Sequence, residues 1–446
     1  MLTSTASIPV VHFPEGWYLA APQFLAATAR AHGPIFRRIL GDRPAGGQEH
    51  LYLVGPEANR FVLYTHRQYF SHDLGWTPLV GEWAGKGLLN MDPPEHTRHR
   101  KLWNPAFTAA CMAQYLPVME RVIRRRIDAW AERGEVDLFA EAREITFEVA
   151  ARALAGLDGP EIGRLRELFY ALLHGYDERV ETWGQFVERR RRIVAELHAI
   201  VLALIAERRS RPPEAAPQNV LSLIVQARDE NGQPLSDQQV VDHLKILLVA
   251  GHETTTTLGA WLLYLLATHP GYLTRVRQEL ARVLLGSDSA ISFEALRAMR
   301  VLDHAVREAG RLHPPVVAVP RGVLADVEFA GHIIPAGAQV WLALGATHHL
   351  PDLFAHPERF DPDRFEPPRE EDRRNPFALV TFGGGPRICI GMHFAHVEAK
   401  LLAASVLRAY DLQPMPERPV VEIGFVTSFL PNGIWARVTP RPSPAP

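Results

Sequence analysis

The apolar and polar positions change rhythm several times along this chain. In the first hundred residues the apolar runs are short and bounded by Gly and Pro. Leu51-Tyr52-Leu53-Val54 is one such run and predicts a strand. Between residues 93 and 209 apolar residues recur at three- and four-residue spacing, which predicts helices over 112–130 and 140–157. Ser236 and Gln239 form a capping box that opens a long apolar helix reaching about Thr268. Another helix stops near Arg311-Leu312-His313-Pro314-Pro315, because paired prolines cannot continue it. Residues 327–340 alternate and carry Pro335-Ala336-Gly337, which predicts a small hairpin turning there. Residues 351–381 are proline-rich and irregular. A last helix is expected over 390–410, with Phe394, Val397, Leu401 and Ala404 on one face. The sum is a mainly α fold with a small β subdomain in one domain, 1–446. Its β-rich portion falls mainly in 30–70 and 316–345, its helical portion mainly in 93–313 and 390–410.

Composition narrows the class. The 446 residues are 47% hydrophobic and 22% charged, as in an ordinary globular protein with a large core. A net charge of −2 gives no case for nucleic acid or an anionic membrane. The run Arg189–Arg192 lies in a helical stretch with Glu188 and Glu196 nearby and reads as a solvated face. The two cysteines, Cys111 and Cys389, make no disulfide framework and point to a reducing, cytoplasmic compartment. Cys111 reads as a small helical packing residue. The first 22 residues are interrupted by Pro9, Pro14 and Pro22 and hold no long apolar run, so neither signal peptide nor membrane anchor is expected. Residues 210–217, rich in Pro and Ala, read as a surface loop.

The chemistry concentrates in Phe382-Gly383-Gly384-Gly385-Pro386-Arg387-Ile388-Cys389-Ile390-Gly391. Gly383 and Gly385 permit tight turns and close approach. Cys389 stands where a helix should begin, near free N–H groups that favour a sulfur anion. Arg387 supplies a permanent cation. The same residues also suit an ordinary Gly-Pro turn with a buried free cysteine. In the long helix, Ala250-Gly251-His252-Glu253-Thr254-Thr255-Thr256-Thr257 sets a glycine and four threonines where helix formers are preferred. Gly251 would let the backbone approach a bound group. Thr254 can return its hydroxyl to the Ala250 carbonyl and open the local ladder. Back-bonded threonines in a buried helix are the plain alternative. His252 lacks a second histidine at metal spacing.

The ten-residue loop resembles the haem-binding signature of the cytochrome P-450 family. Phe382, Gly383, Gly385, Arg387, Cys389 and Gly391 fill its six fixed places, Phe-Gly-x-Gly-x-Arg-x-Cys-x-Gly. Residues 250–255 resemble the family's oxygen-activation motif, Ala-Gly-x-Asp/Glu-Thr-Thr. The resemblance implies haem b (iron protoporphyrin IX) bound through the Cys389 thiolate, with Ala250 and Gly251 beside it. It makes Glu253 and Thr254 the acid–alcohol pair that delivers protons to dioxygen. Glu308 and Arg311 match Glu-x-x-Arg, and Arg364 matches the arginine that completes a structural triad. His96 and Arg100 match a Pro-Pro-Glu-His-x-x-x-Arg stretch of the soluble bacterial members. With Arg321 and Arg387 they would grip the haem propionates.

The implied substrate pocket draws on Trp76, Leu79, Trp83, Leu88, Leu89, Leu247, Val316, Val317, Val319 and Phe429, a largely apolar set, so an apolar small molecule is expected. The implied activity is a monooxygenase using dioxygen. Its electrons would come from a ferredoxin or flavodoxin with an NAD(P)H-dependent reductase, docked near Arg98, Lys101 and Arg408. The stretches Thr347-His348, 360–365 and 376–385 are similar to the branch that hydroxylates retinoic acid, so a retinoid, terpenoid or fatty acid is the expected substrate class. Three rivals stand beside this. A peroxide-driven peroxygenase would not need Glu253 and Thr254. A non-catalytic haem-thiolate sensor or carrier would need no oxygen groove. A cysteine hydrolase would need a histidine placed as base for Cys389.

Overall fold

The protein, seen in a computed structural model, is described over residues 7–40, 48–173, 180–212, 219–284 and 290–442. The expected loop 210–217 falls, beyond Pro212, outside the described residues. Most of the chain is helical. The central helix Asp237–Thr268 starts at the expected capping box: Ser236 Oγ accepts from the Gln239 N–H at 3.3 Å, and the Ser236 N–H donates to Gln239 Oε1 at 2.9 Å. This helix is lined nearly all round by buried residues, so it forms the axis of the largest apolar core. Leu138–Val149, Arg300–Leu312 and the C-terminal helix Met392–Ala409 pack against it.

A five-stranded sheet lies to one side, in the order Ile35–Leu40, Gln48–Leu53, Gln339–Leu342, Val319–Val323, Phe70–Ser71. Gln48–Leu53 and Gln339–Leu342 run parallel; the other neighbours are antiparallel. Inside the stretch expected to be β-rich, Pro56–Arg60 and Phe61–Thr65 are helical. A Pro at the first helical position starts that turn, and short apolar runs do not tell strand from buried helix. A three-stranded sheet of Glu135–Asp137, Trp435–Pro440 and Tyr410–Pro414 lies beyond the expected β regions.

The hairpin of 327–340 is real but turns elsewhere. Val327–Phe329 pairs with His332–Ile334 around Ala330 and Gly331, whose φ values are 52° and 78°. Two successive positive φ angles make the tight turn that matches strand twist. The Pro335–Gly337 turn instead carries the chain from this ribbon into the five-stranded sheet. The last helix ends at Ala409 because Tyr410 already pairs, with Pro440, as a strand.

Candidate active site

Cys389 and Ala250 face open space although both lie in the body of the molecule. Cys389 is solvent-accessible. Ala250 is exposed midway along the central helix, whose neighbours Leu248 and His252 are buried. Enough protein surrounds the Cys389 sulfur that burial pushes its thiol pKa up, against the pull of the Gly391 N–H and the Arg100 cation. Its opening is therefore a recess, not bulk water. The loop that presents it is tightly built. The Cys389 N–H donates to the Phe382 carbonyl at 2.9 Å. Gly383 and Gly385 have φ of 73° and 64°. A Cβ on Gly385 would stand 2.3 Å from the Leu63 carbonyl oxygen. Gly385→Ala is therefore expected to cost about 1–3 kcal/mol and to lower haem content, read by denaturation and pyridine haemochrome assay.

A ring of cations surrounds this recess. Arg100 donates to the Ile388 carbonyl at 2.9 Å and to Asn104 Oδ1 at 2.8 Å. Arg387 donates to the carbonyls of Leu88, at 3.2 Å, and Met91. Arg321 is buried, and among the described residues its hydrogen-bond partner is the Pro320 carbonyl, 2.6 Å away. Burial and the Arg387 charge lower Arg321 to about 9. Burial, with repulsion from Arg100, lowers Arg387 to about 10. Burial, Arg387 and Arg100 lower His96 to about 3. His72, which sequence reasoning missed, lies beside them as a neutral ring like His96: burial, Arg321 and Arg387 push it well below its usual range. Its ring lies 3.3 Å from the Leu89 carbonyl. Asp92 is the carboxylate that offsets Arg321 and Arg387 in this group, and it also accepts from Ser71 and the His72 N–H. Crowded cations with one carboxylate among them make a site for a dianion. Two carboxylates on the edge of a flat macrocycle supply that charge, so the donor set fits haem.

The central helix passes the recess unbroken. Thr254 Oγ1 donates to the Ala250 carbonyl at 2.8 Å as expected, without interrupting the helix. The other threonines are also satisfied. Thr255 and Thr257 bond back to Gly251 and Glu253, and Thr256 meets Thr146 Oγ1 at 2.7 Å. Gly251 does not face the recess. A Cβ there would meet Leu154 at 3.2 Å, so this glycine serves helix packing. One residue on a helix is a turn of about 100°, and Ala250 holds the open side.

Glu253 turns away from Thr254. Its carboxylate accepts from Arg143 at 2.7 and 3.0 Å and faces His252 Nε2 at 2.8 Å. Burial alone would push this carboxyl up; the His252 hydrogen bond and the Arg143 cation outweigh it and hold it at about 2. Arg143 lies 3.9 Å from the Tyr170 ring centroid. Nothing in the spacing of Arg143 pointed to this contact, which joins residues 110 apart in sequence.

The triad is assembled. Arg311 grips Glu308 through two bonds of 2.8 and 2.9 Å, and Arg364 reaches Glu308 at 3.0 Å, all three fully buried. Glu371 adds a second carboxylate on Arg364 at 2.6 Å. Arg311 also donates to the His348 carbonyl at 2.8 Å, and His348 Nε2 accepts from the Val380 N–H at 3.0 Å. The cluster thus reaches the irregular segment that enters the cysteine loop.

The expected pocket residues separate. Trp76 and Trp83 are buried on the helix His72–Ala84, with Trp83 packed in the main core. Leu88, Leu89, Leu247 and Val316 are half-buried. Phe429 is exposed and stacks edge-on with Phe139. Val317 is fully buried against Gly345 and Gly424, so it belongs to core packing and not to a pocket wall. The arginine run also divides. Arg191 and Arg192 are solvated beside Glu188. Arg189 and Arg190 instead donate to the carbonyls of Ala171 and Leu172, capping the end of the helix Glu161–Leu173. Glu196 pairs with Arg164 on that helix, away from the run.

Comparisons with known proteins agree with this geometry. The family model described as Cytochrome P450 matches residues 20–430. A putative cytochrome P450 120 from Synechocystis is 31% identical over 433 residues, 93% of this chain and 94% of that protein. A sterol 14alpha-demethylase from Mycolicibacterium vanbaalenii is 30% identical over 374 residues, 81% of each. A solved structure of retinoic acid-bound cyanobacterial CYP120A1 superposes with a TM-score of 0.84 at 29% identity, covering 96% of this chain and 95% of that one. No helix among the described residues is long and apolar enough to cross a membrane. A mainly helical fold with a small β region, a glycine-built cysteine loop and a family match over most of its length make this chain a member of the cytochrome P450 family of haem-thiolate monooxygenases.

Proposed function

We propose that this protein inserts oxygen into an apolar isoprenoid or fatty-acid-like molecule, with a retinoid as the first candidate. Haem, when bound, supplies the oxygen-activating chemistry; the chain supplies its ligand, its anchorage and its protons. Cys389 would hold its iron as a thiolate. His96, Arg100, Arg321, Arg387 and His72 would hold its propionates. Thr254 orders water on the open side of the central helix, and Glu253 passes protons toward it. The observation that carries the haem assignment is the crowding of three mutually repelling arginines, Arg100, Arg321 and Arg387, around an accessible cysteine. The substrate class is supported by the half-buried Leu88, Leu89, Leu247 and Val316 and by the retinoic acid bound in the CYP120A1 structure. Arg98 and Lys101 are exposed on the outer face of the helix Glu95–Trp103 and are available to a ferredoxin or flavodoxin.

The haem assignment predicts a red-shifted Soret band for the reduced carbon monoxide complex; an ordinary histidine-type band would sink it. A Soret titration with retinoic acid, a terpenoid and a fatty acid tests the substrate, and indifference to all three rejects the class. Glu253→Gln is expected to slow turnover about 100-fold, since it removes the proton carrier together with its ion pair to Arg143. An unchanged rate would take Glu253 out of the proton path.

A further inference from the structure

Residues 85–91 carry Leu88 and Leu89 from the helix His72–Ala84 to the helix Glu95–Trp103. One side of this loop is fastened toward the cysteine loop, by Arg387 on the Leu88 and Met91 carbonyls. The other side is fastened to the central helix. The Lys86 N–H donates to Asp242 at 3.0 Å, and the Leu88 N–H donates to His243 Nδ1 at 3.3 Å. There is no slack, because a Cβ on Gly87 would stand 2.8 Å from Ile246 and one on Gly85 would stand 2.3 Å from Asp242.

The hydrogen bond from Leu88 fixes the chemistry of the rings behind it. An amide N–H only donates, so His243 Nδ1 is the bare nitrogen and the proton sits on Nε2. That proton is donated to His99 Nδ1, 2.7 Å away. Both rings are buried, and Trp103 packs on His243 with centroids 5.0 Å apart. The charged and titratable neighbours are already engaged or offer no counter-charge. Glu95 pairs with Lys86, and Asp242 pairs with Lys245, which also donates to the Trp83 carbonyl. His96 and Arg98, the remaining neighbours, are not anions.

We infer that His99 and His243 are positioning residues, whose uncharged hydrogen bond sets the distance of loop 85–91 from the central helix and thereby the pocket wall. It rests on the recess being the haem and substrate site. The link works only while both rings are neutral. One added proton either sets two N–H donors face to face across the pair or takes the acceptor from Leu88. Burial already holds His243 down at about 3, and holds His99 below its usual value of 6.5 against the opposing pull of Glu95. In an opened loop the rings recover their ordinary value. The closed loop is therefore fully favoured above pH 6.5 and loses that advantage as pH falls toward about 3.

The test uses the haem-loaded protein, His243→Phe and His99→Phe. Amide exchange of residues 85–91, corrected for intrinsic rate, is compared at about pH 7.5 and about pH 5. Affinity for an apolar ligand is read by Soret titration. Each variant should exchange these amides about tenfold faster and bind the ligand about tenfold more weakly, with the carbon monoxide band unmoved. The wild type should lose protection on acidification, and the variants should not. Exchange within about twofold of wild type in both variants overturns the proposal. So does pH-independent exchange in the wild type, which decides the matter if the variants do not fold. Faster exchange with unchanged affinity overturns the claim on the pocket wall. Absence of the thiolate band from the wild type would strike the haem assignment instead.

Discussion

Replacing Glu308 with glutamine is expected to destabilise the protein by about 3–5 kcal/mol, the cost of stranding buried charge. Glu308 is fully buried and accepts from Arg311 twice, from Arg364 and from the Asp361 N–H. A glutamine offers one acceptor, and its NH2 points hydrogens at guanidinium hydrogens. Arg364 keeps Glu371, but Arg311 is left with only the carbonyls of His348 and Arg359. Because His348 also holds the Val380 N–H, the damage should reach the cysteine loop, and haem should be lost before global unfolding. Urea denaturation followed by Soret absorbance and by far-ultraviolet dichroism measures both events. Glu188→Gln, at an exposed pair, should change stability by less than about 0.5 kcal/mol. Equal effects from the two substitutions would show that burial of the triad does not matter.

Cys389→Ser is expected to leave a folded protein with no red-shifted carbon monoxide band and turnover reduced at least about 1000-fold. Serine keeps the main-chain bond to Phe382 and is nearly isosteric, so the loop survives. It does not keep a soft, readily ionised sulfur. Dichroism matching the wild type, together with an altered Soret band, is the predicted pair of results. A serine variant that retained the band would place the axial ligand elsewhere.

Much of this could be read before any coordinates, and the reasons differ by residue. Helix limits were legible where a stop or start is chemical: Ser236 and Gln239 open the central helix, and Pro314 follows closely on the one that ends at Leu312. Loop residues such as Gly385 and Cys389 are legible because few side chains tolerate those dihedrals or that chemistry. Arg143, Glu371, His72, His99 and His243 were not. Each looks like an ordinary surface or helical residue, and its importance comes from a partner brought near by folding. Gly251 and Val317 failed for another reason. A residue type can be right for an element while the element's rotation, set by packing, points it elsewhere. The same holds for Arg189 and Arg190, which share a run with two solvated arginines yet cap a neighbouring helix.

The parallel pairing of Gln48–Leu53 with Gln339–Leu342 spans most of the polypeptide. His50 meets Gln339, 289 residues later in synthesis. At ribosomal speeds the first strand pair waits roughly 15–60 s for its neighbour to emerge. Two strands alone are marginal in water, and the edge that will receive Gln339–Leu342 stays unprotected throughout. Yield in a heterologous host should therefore depend on holdase chaperones that shield nascent N-terminal segments, whatever the stability of the finished molecule.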